Sequence, residues 1–109
     1  VHMDNLTKLY IEKDIANRRT RMIELGDVFI AFPGATGTLE EVSEILSKLS
    51  LYQLKCPCIF YNVNGYYDHL KAFLQRMIDC ELSTPKQQQY VYFLDSLNEI
   101  KEVLKEAQS

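Results

Sequence analysis

The residues best suited to bind a ligand form one short segment, Pro33-Gly34-Ala35-Thr36-Gly37-Thr38. Its two glycines permit unusual backbone angles and close approach of a ligand, and its two threonines supply hydroxyl groups. Because the segment precedes a predicted helix, free backbone N–H groups and the helix dipole favour an anion there, and phosphate is the natural one. Glycine and threonine also serve geometry and capping in ordinary strand-to-helix turns, so a purely structural role stays open. The segment lacks the Walker ending Gly-Lys-Ser/Thr and the dinucleotide pattern Gly-x-Gly-x-x-Gly.

Two glutamates follow this segment, and helical geometry separates them. At about 100° per residue, Glu41 lies roughly 100° from the centre of the apolar stripe of the predicted helix, and Glu40 lies about 155° away. We therefore expect Glu41 to flank the core and face the cleft, and Glu40 to face water. Either residue could instead be a carboxylate that is favoured near a helix N-terminus by the dipole.

Arginines cluster upstream of the segment, in a helix predicted from Asp14 to about Leu25. Arg18 and Arg19 fall in the sector of this helix that also carries its apolar residues. Long side chains that reach out to water could account for this placement. A bound phosphate or a carboxylate such as Glu41 accounts for it better, because buried-side arginines need a partner.

Alternating strands and helices must position these residues. A buried strand is predicted over Val28–Phe32, and a long amphipathic helix follows the glycine-containing segment. The other predicted elements are strands at residues 9–11, 58–61 and 90–94, a helix around 70–78, and a last helix capped by Asp95-Ser96. This order predicts an α/β fold, a Rossmann-like parallel sheet with helices on both faces. Such sheets bind ligands at the carboxyl ends of their strands, which are followed here by loops 12–14, 33–38 and 62–67.

Composition excludes several classes of protein. The 109 residues suit a single domain, 1–109, and 12 Lys+Arg against 15 Asp+Glu, with a net charge of −3, disfavour a nucleic-acid partner. The longest apolar run, Val28–Phe32, is far shorter than the roughly 20 residues that span a bilayer, so we expect no membrane partner. No signal peptide is visible, so we expect a cytoplasmic location. The three cysteines form neither a disulfide framework nor a Cys-x-x-Cys pair, so no metal site is expected.

Two segments of the chain resemble the paired signatures of the LOG (Lonely Guy) family, Arg-Lys-x-x-Met and Pro-Gly-Gly-x-Gly-Thr-x-x-Glu. They are Arg18-Arg19-x-x-Met22 and Pro33-Gly34-Ala35-Thr36-Gly37-Thr38-Leu39-Glu40-Glu41, in the family's order. The segments at 62–68 and 5–7 also resemble family segments. The resemblance implies an enzyme that hydrolyses a purine or cytokinin nucleoside 5′-monophosphate to free base and ribose 5-phosphate.

The resemblance also implies roles for single residues. Arg18 and Glu41 become the catalytic pair, in which Glu41 stabilises positive charge on the ribose and Arg18 orients Glu41. The implied phosphate-binding residues are Arg19, Gly34, Ala35, Thr36, Gly37 and Thr38. No metal or redox cofactor is needed for this chemistry. The implied partners are a nucleoside monophosphate such as AMP and further copies of the chain, in a homodimer or a higher homo-oligomer.

Departures from the family pattern leave other functions open. Ala35 replaces a signature glycine, and a methyl group there would weaken binding if the position needs a positive φ or a very close phosphate. Family members have β/α units upstream of the segment at 14–54 that carries the signatures, so we expect this chain to be the carboxyl-terminal portion of a doubly wound domain. The alternatives are a non-catalytic nucleotide- or phosphate-binding module and a domain that only self-associates. Lysine decarboxylation is rejected, because nothing proposes the Schiff-base lysine that a pyridoxal enzyme needs.

Overall fold

The computed structural model describes the backbone of residues 22–25 and 28–108 and the side chains of residues 28–106. The strands are β1 (Met22–Leu25), β2 (Val28–Ala31), β3 (Cys58–Tyr61) and β4 (Val91–Leu94). The helices are α1 (Thr36–Ser50), α2 (Asp68–Asp79) and α3 (Leu97–Gln108), with a short 3₁₀ turn at Val63–Gly65. The predicted α/β class is confirmed.

The sheet has the order β1-β2-β3-β4, and β2, β3 and β4 run parallel. Ile30 pairs with Ile59, and Phe60 pairs with Phe93. Because parallel strands end at the same edge of a sheet, the loop after β2 and the loop after β3 lie side by side. This neighbourhood is the part of the fold that positions the candidate site.

Helices cover both faces of the three parallel strands, as predicted. Successive residues of β2 and β3 point to opposite faces, so Ile30 and Ile59 join one core cluster while Ala31 and Phe60 join the other. The first cluster is completed from α3, and the second from α1 and α2. The buried members of the first are Val28, Ile30, Phe32, Ile59, Ile100 and Leu104. Those of the second are Ala31, Val42, Leu49, Cys58, Phe60 and Tyr67.

The predicted helix from Asp14 to about Leu25 is wrong at its end, because Met22–Leu25 forms strand β1. This strand pairs with β2 in the antiparallel direction, with Leu25 opposite Val28, so the sheet is not parallel throughout. As a sequence, Gly26-Asp27 suits a two-residue hairpin as well as the end of a helix. The pairing of Met22–Leu25 with β2 shows that these four residues form a strand. The remainder of the predicted helix, and the strand predicted at 9–11, lie outside the described residues.

The predicted cap of the last helix is confirmed in detail. The Ser96 Oγ accepts a hydrogen bond from the Glu99 N–H at 3.2 Å and donates one to the Glu99 carboxylate at 3.1 Å. The first of these bonds satisfies one N–H of the first turn of α3, as an N-cap serine does. Across the described residues, every helix is too short or too polar to span a bilayer.

Candidate anion-binding site

The loop between β2 and α1 ends in a helix that no side chain caps. Ala35 occupies the N-cap position with an extended backbone, φ −108° and ψ −148°, and its methyl side chain offers no oxygen to the helix. The first hydrogen bond at this end runs from the Leu39 N–H to the Ala35 carbonyl, at 3.1 Å. The earlier N–H groups of a helix have no acceptor within the helix, so those of the first turn of α1 can bind an anion.

A cavity of about 300 Å³ lies against this helix start. It is lined by Gly34, Ala35, Thr36, Thr38, Leu39, Val42, Tyr67 and Leu70. Four of the phosphate-binding residues implied by the sequence are among them. Most of the other lining side chains are apolar, which is usual for small-molecule sites that place a few polar groups in a hydrophobic wall.

Thr38 is the most informative residue of the cavity. Its side chain is only 5 % exposed, and its Oγ1 has no hydrogen-bond partner within the described part of the chain. A buried hydroxyl without a partner costs roughly 1–3 kcal/mol, so a structure tolerates it where something else supplies the partner. This oxygen lies in the first turn of a helix that no side chain caps.

Two other positions of the loop clarify the sequence motif. A Cβ built at Gly37 meets no described atom within 4 Å, so the first turn of α1 is open to approach on this side. Ala35 has a negative φ, so the backbone needs no left-handed conformation where alanine replaces the family's glycine. Of the two reasons for a glycine at this position, a positive φ and a very close phosphate, only the second is left.

The two glutamates are both exposed on α1. Glu41 lies three residues after Thr38 and so borders it on the helix surface, but it does not line the cavity. Within residues 28–106, the carboxylates of Glu40 and Glu41 make no hydrogen bond or ion pair. Arg18 and Arg19 lie outside the described residues. The catalytic pairing of Arg18 with Glu41 stays a prediction.

The loop after β3 contributes two residues to which the sequence analysis gave no role in the site. The Tyr67 hydroxyl donates a hydrogen bond to the Phe32 carbonyl at 2.5 Å, and the Tyr66 hydroxyl donates one to the Gly34 carbonyl. Burial, followed by the nearby Tyr66 and Cys58, raises the pKa of Tyr67 to about 12, so its hydroxyl remains a donor at neutral pH. The available signal was the position of loop 62–67, which follows a parallel strand at the same edge.

A larger cavity, of about 550 Å³, opens at the opposite edge of the sheet, beside Cys56, Pro57, Tyr90 and Tyr92. These residues lie at the amino ends of β3 and β4, whereas open α/β sheets bind ligands at the carboxyl ends. The smaller cavity is thus the better candidate despite its size. In the described residues, His, Cys, Asp and Glu form no cluster of three or more that could hold a metal ion.

The chain is similar to one protein family and to several curated proteins. A sequence model of the family described as "Possible lysine decarboxylase" matches residues 1–104. The cytokinin riboside 5′-monophosphate phosphoribohydrolase of Rhodococcoides fascians is 41 % identical over 70 residues, which are 64 % of this chain and 35 % of the relative. A probable enzyme of the same name from Oryza sativa subsp. japonica is 32 % identical over 91 residues, 84 % of this chain and 36 % of the relative.

A third relative with this name, from Arabidopsis thaliana, is 31 % identical over 93 residues, which are 85 % of this chain and 43 % of the relative. The chain thus spans between 35 % and 43 % of the length of these three curated relatives. The signature segments at 18–22 and 33–41 both fall inside the family match.

Proposed function

We propose a function from one premise, that this chain belongs to the family described as possible lysine decarboxylases: the complete protein that contains it hydrolyses a nucleoside 5′-monophosphate. The bond cleaved is the N-glycosidic bond of a purine or cytokinin nucleotide, and the products are the free base and ribose 5-phosphate. The names of the curated relatives support this reaction. The relatives are named for cytokinin riboside 5′-monophosphate, which lies within the substrate class proposed.

The observation that carries the proposal is the uncapped start of α1, where Thr38 lines the cavity and its buried hydroxyl has no partner among the described residues. A phosphate monoester presents several acceptor oxygens and a negative charge, which match N–H donors, a hydroxyl and the positive end of a helix dipole. A neutral base or sugar could accept hydrogen bonds but would bring no negative charge to the positive end of the helix dipole. A ligand with a terminal phosphate is therefore the class that the cavity fits best.

Glu41 is proposed to act on the ribose rather than on the phosphate. When the glycosidic bond breaks, the base leaves with the bonding electrons and takes up a proton, and the oxygen of water forms the new bond to the anomeric carbon. Positive charge develops on the ribose, and a carboxylate beside it stabilises that charge and engages a hydroxyl or the water. Arg18 is proposed to orient Glu41, and Arg19 to bind the phosphate.

Lysine decarboxylation is not proposed, despite the description of the family. A pyridoxal enzyme needs a lysine that forms a Schiff base inside its site. The described residues that line the candidate cavity include no lysine. Its walls suit a phosphate next to apolar surface instead.

The test uses the complete protein and AMP, with adenine and ribose 5-phosphate quantified by chromatography. We expect both products in equal amounts, and we expect Glu41→Gln to reduce the rate by about 10²–10⁴-fold, the usual contribution of a carboxylate that assists such chemistry. Glu40→Gln is the matched control, one residue away on the same helix and equally exposed, and should retain activity. Full activity of Glu41→Gln would exclude the role assigned to Glu41.

One observation favours a second candidate, a nucleotide-binding module without activity. Glu41 is exposed and is not among the residues that line the cavity beside Thr38. Calorimetry of AMP binding to the complete protein separates the candidates, because binding without release of base supports the module. Absence of binding would exclude both.

Self-association is proposed as a property of the complete protein rather than as its function. Leu39 is 52 % exposed and Phe73 is 59 % exposed, on the two helices that cover the same face of the sheet. Large exposed apolar side chains are common at contacts between copies of a chain. Light scattering is expected to give the mass of a homodimer or a higher oligomer, and a monomer would contradict this expectation.

A further inference from the structure

We propose that Tyr66 and Tyr67 are positioning residues for the anion-binding loop, which we define as residues 32–38. Their hydroxyls hold two carbonyls of that loop before a ligand arrives: the bond of Tyr66 orients one N–H donor, and the bond of Tyr67 anchors the start of the loop. The inference rests on the proposed function only in taking the 5′-phosphate of the substrate as the natural anion. It assigns to Tyr66 and Tyr67, in the loop after β3, a role in binding that the sequence motifs did not indicate.

The two tyrosines project from a turn with little freedom of its own. The Tyr67 N–H donates to Asn62 Oδ1 at 2.5 Å, and Asn62 Nδ2 donates to Asp68 Oδ1 at 2.8 Å. Gly65 lies between Asn62 and Asp68 in the chain and has φ +70°. A Cβ added to it would lie 2.5 Å from Asp68 Oδ2. The side chains of Asn62 and Asp68 therefore close the turn, and the turn fixes the start of both tyrosine side chains.

Packing then fixes the direction of the rings. The Tyr67 ring meets the Phe60 ring at 5.1 Å between centroids with an interplanar angle of 71°, and the Tyr66 ring at 5.1 Å with an angle of 88°. Both are edge-to-face contacts, which aromatic pairs favour. Tyr67 is 8 % exposed whereas Tyr66 is 52 % exposed, so the inner ring is fixed by the core and the outer ring rests on it.

Peptide geometry transmits the bond of Tyr66 to a donor of the loop. In a planar trans peptide the carbonyl of one residue and the N–H of the next point in opposite directions. The Tyr66 hydroxyl holds the Gly34 carbonyl, so it also sets the direction of the Ala35 N–H, which points away from Tyr66. Rotation of this peptide would break the hydrogen bond.

The bond of Tyr67 has a different consequence, because the carbonyl it holds belongs to Phe32. The next residue is Pro33, which has no N–H, so this bond orients no donor. It anchors the start of the loop just after β2 ends at Ala31. The two bonds consume only acceptors of the loop, and its N–H groups stay available to an anion.

An anion-binding loop held in this way loses less conformational freedom when it binds its ligand. Removal of one hydroxyl keeps the ring and its packing, and releases one carbonyl. A hydrogen bond of ordinary strength corresponds to about a threefold to tenfold change in a dissociation constant. We therefore expect Tyr66→Phe and Tyr67→Phe each to weaken phosphate binding by such a factor.

The experiment measures binding of inorganic phosphate to the complete protein by calorimetry, in the wild type, Tyr66→Phe and Tyr67→Phe. Tyr90→Phe is the matched control, because Tyr90 is a half-buried tyrosine at the opposite edge of the sheet. We expect the dissociation constant for phosphate to rise threefold to tenfold in both variants and to stay unchanged in the control. Circular dichroism confirms that each variant is folded.

Two further readouts distinguish positioning from a general loss of structure. In the variants the KM for AMP should rise while kcat changes by less than about twofold, and the inhibition constant of adenosine, which has no phosphate, should stay the same. Unchanged phosphate affinity in folded Tyr66→Phe and Tyr67→Phe, or no phosphate binding by the wild type, would overturn the inference. If the wild type binds phosphate but releases no base from AMP, the proposed reaction fails while the phosphate measurements still decide the role of the tyrosines.

Discussion

The loop after β2 and the loop after β3 lie at the same edge of the sheet, but they satisfy their polar groups in opposite ways. In the loop after β3, the Asn62 side chain donates to the Asp68 carboxylate and accepts from the Tyr67 N–H of the same turn. In the loop after β2, the N-cap is an alanine and the Thr38 hydroxyl has no partner among the described residues. One loop is closed on itself, and the other keeps its donors open.

The difference shows how a binding loop can be both rigid and unsatisfied. A loop that bonded its own N–H groups would be stable but would have nothing left to offer a ligand. Here the carbonyls of Phe32 and Gly34 are held by hydroxyls from the neighbouring loop, so rigidity comes from outside. Stability is given up at one position, Thr38, and such local costs are characteristic of functional sites.

The largest expected effect comes from opening the closed loop. Gly65→Ala places a methyl group at φ +70° and 2.5 Å from the Asp68 carboxylate, so we expect the free energy of unfolding to fall by about 2 kcal/mol. Chemical denaturation of the complete protein measures this loss.

Gly37→Ala is the matched control for this substitution. It adds the same methyl group inside α1, where nothing described lies within 4 Å, and should raise the free energy of unfolding by about 0.5–1 kcal/mol. Equal effects of the two substitutions would show that the closed loop has no special conformational demand.

A smaller effect is expected from closing the open loop, by Thr38→Val. Valine keeps the shape of threonine and removes the unpartnered hydroxyl, so the ligand-free protein should gain roughly 1 kcal/mol of stability. Phosphate binding should weaken about tenfold, because the hydroxyl is lost as a ligand for the anion. Calorimetry and denaturation on the same samples test both signs, and a loss of stability without a loss of phosphate affinity would contradict a ligand-binding role for Thr38.

The smallest expected effect is a pH dependence at the tyrosine that links the loops. Burial raises the pKa of Tyr67 from 10.0 to about 12, so the folded state holds this proton more tightly than the unfolded state. Its contribution to stability is complete below pH 10 and is lost as the pH rises from 10 towards 12, with a loss of about 1 kcal/mol by pH 11. Denaturation midpoints at pH 8, 9.5 and 11 measure this loss.

Cys58 titrates in an overlapping range, because burial and the neighbouring Cys56 raise its pKa from 9.0 to about 12. The contribution of Cys58 to stability is lost from pH 9 upwards. In Tyr67→Phe, the loss of stability that begins near pH 9 should therefore remain, and the loss above pH 10 should be smaller. A pH profile that is identical in the wild type and in Tyr67→Phe would remove Tyr67 as a source of this dependence.

Local sequence patterns predicted most of the elements. The apolar run at β2, the turn residues after β3, the 3.6-residue period of α1 and the serine that caps α3 each specify their element through neighbours in the chain. The assignment failed at Met22–Leu25, where apolar residues suit a helix or a strand and the pairing partner β2 decides. The helical angle predicted that Glu41 flanks the core and that Glu40 faces water, yet both residues are exposed in the structure.

The sequence by itself determined the α/β architecture and the loop of glycine, alanine and threonine that starts α1, because periodicity and turn chemistry act over a few residues. Only the tertiary structure decided that the Thr38 hydroxyl is buried without a partner, and that Tyr66 and Tyr67 hold the carbonyls of Gly34 and Phe32. Those bonds join residues 32 and 35 positions apart in the chain. They exist because parallel pairing of β2 and β3 brings the two loops to one edge of the sheet.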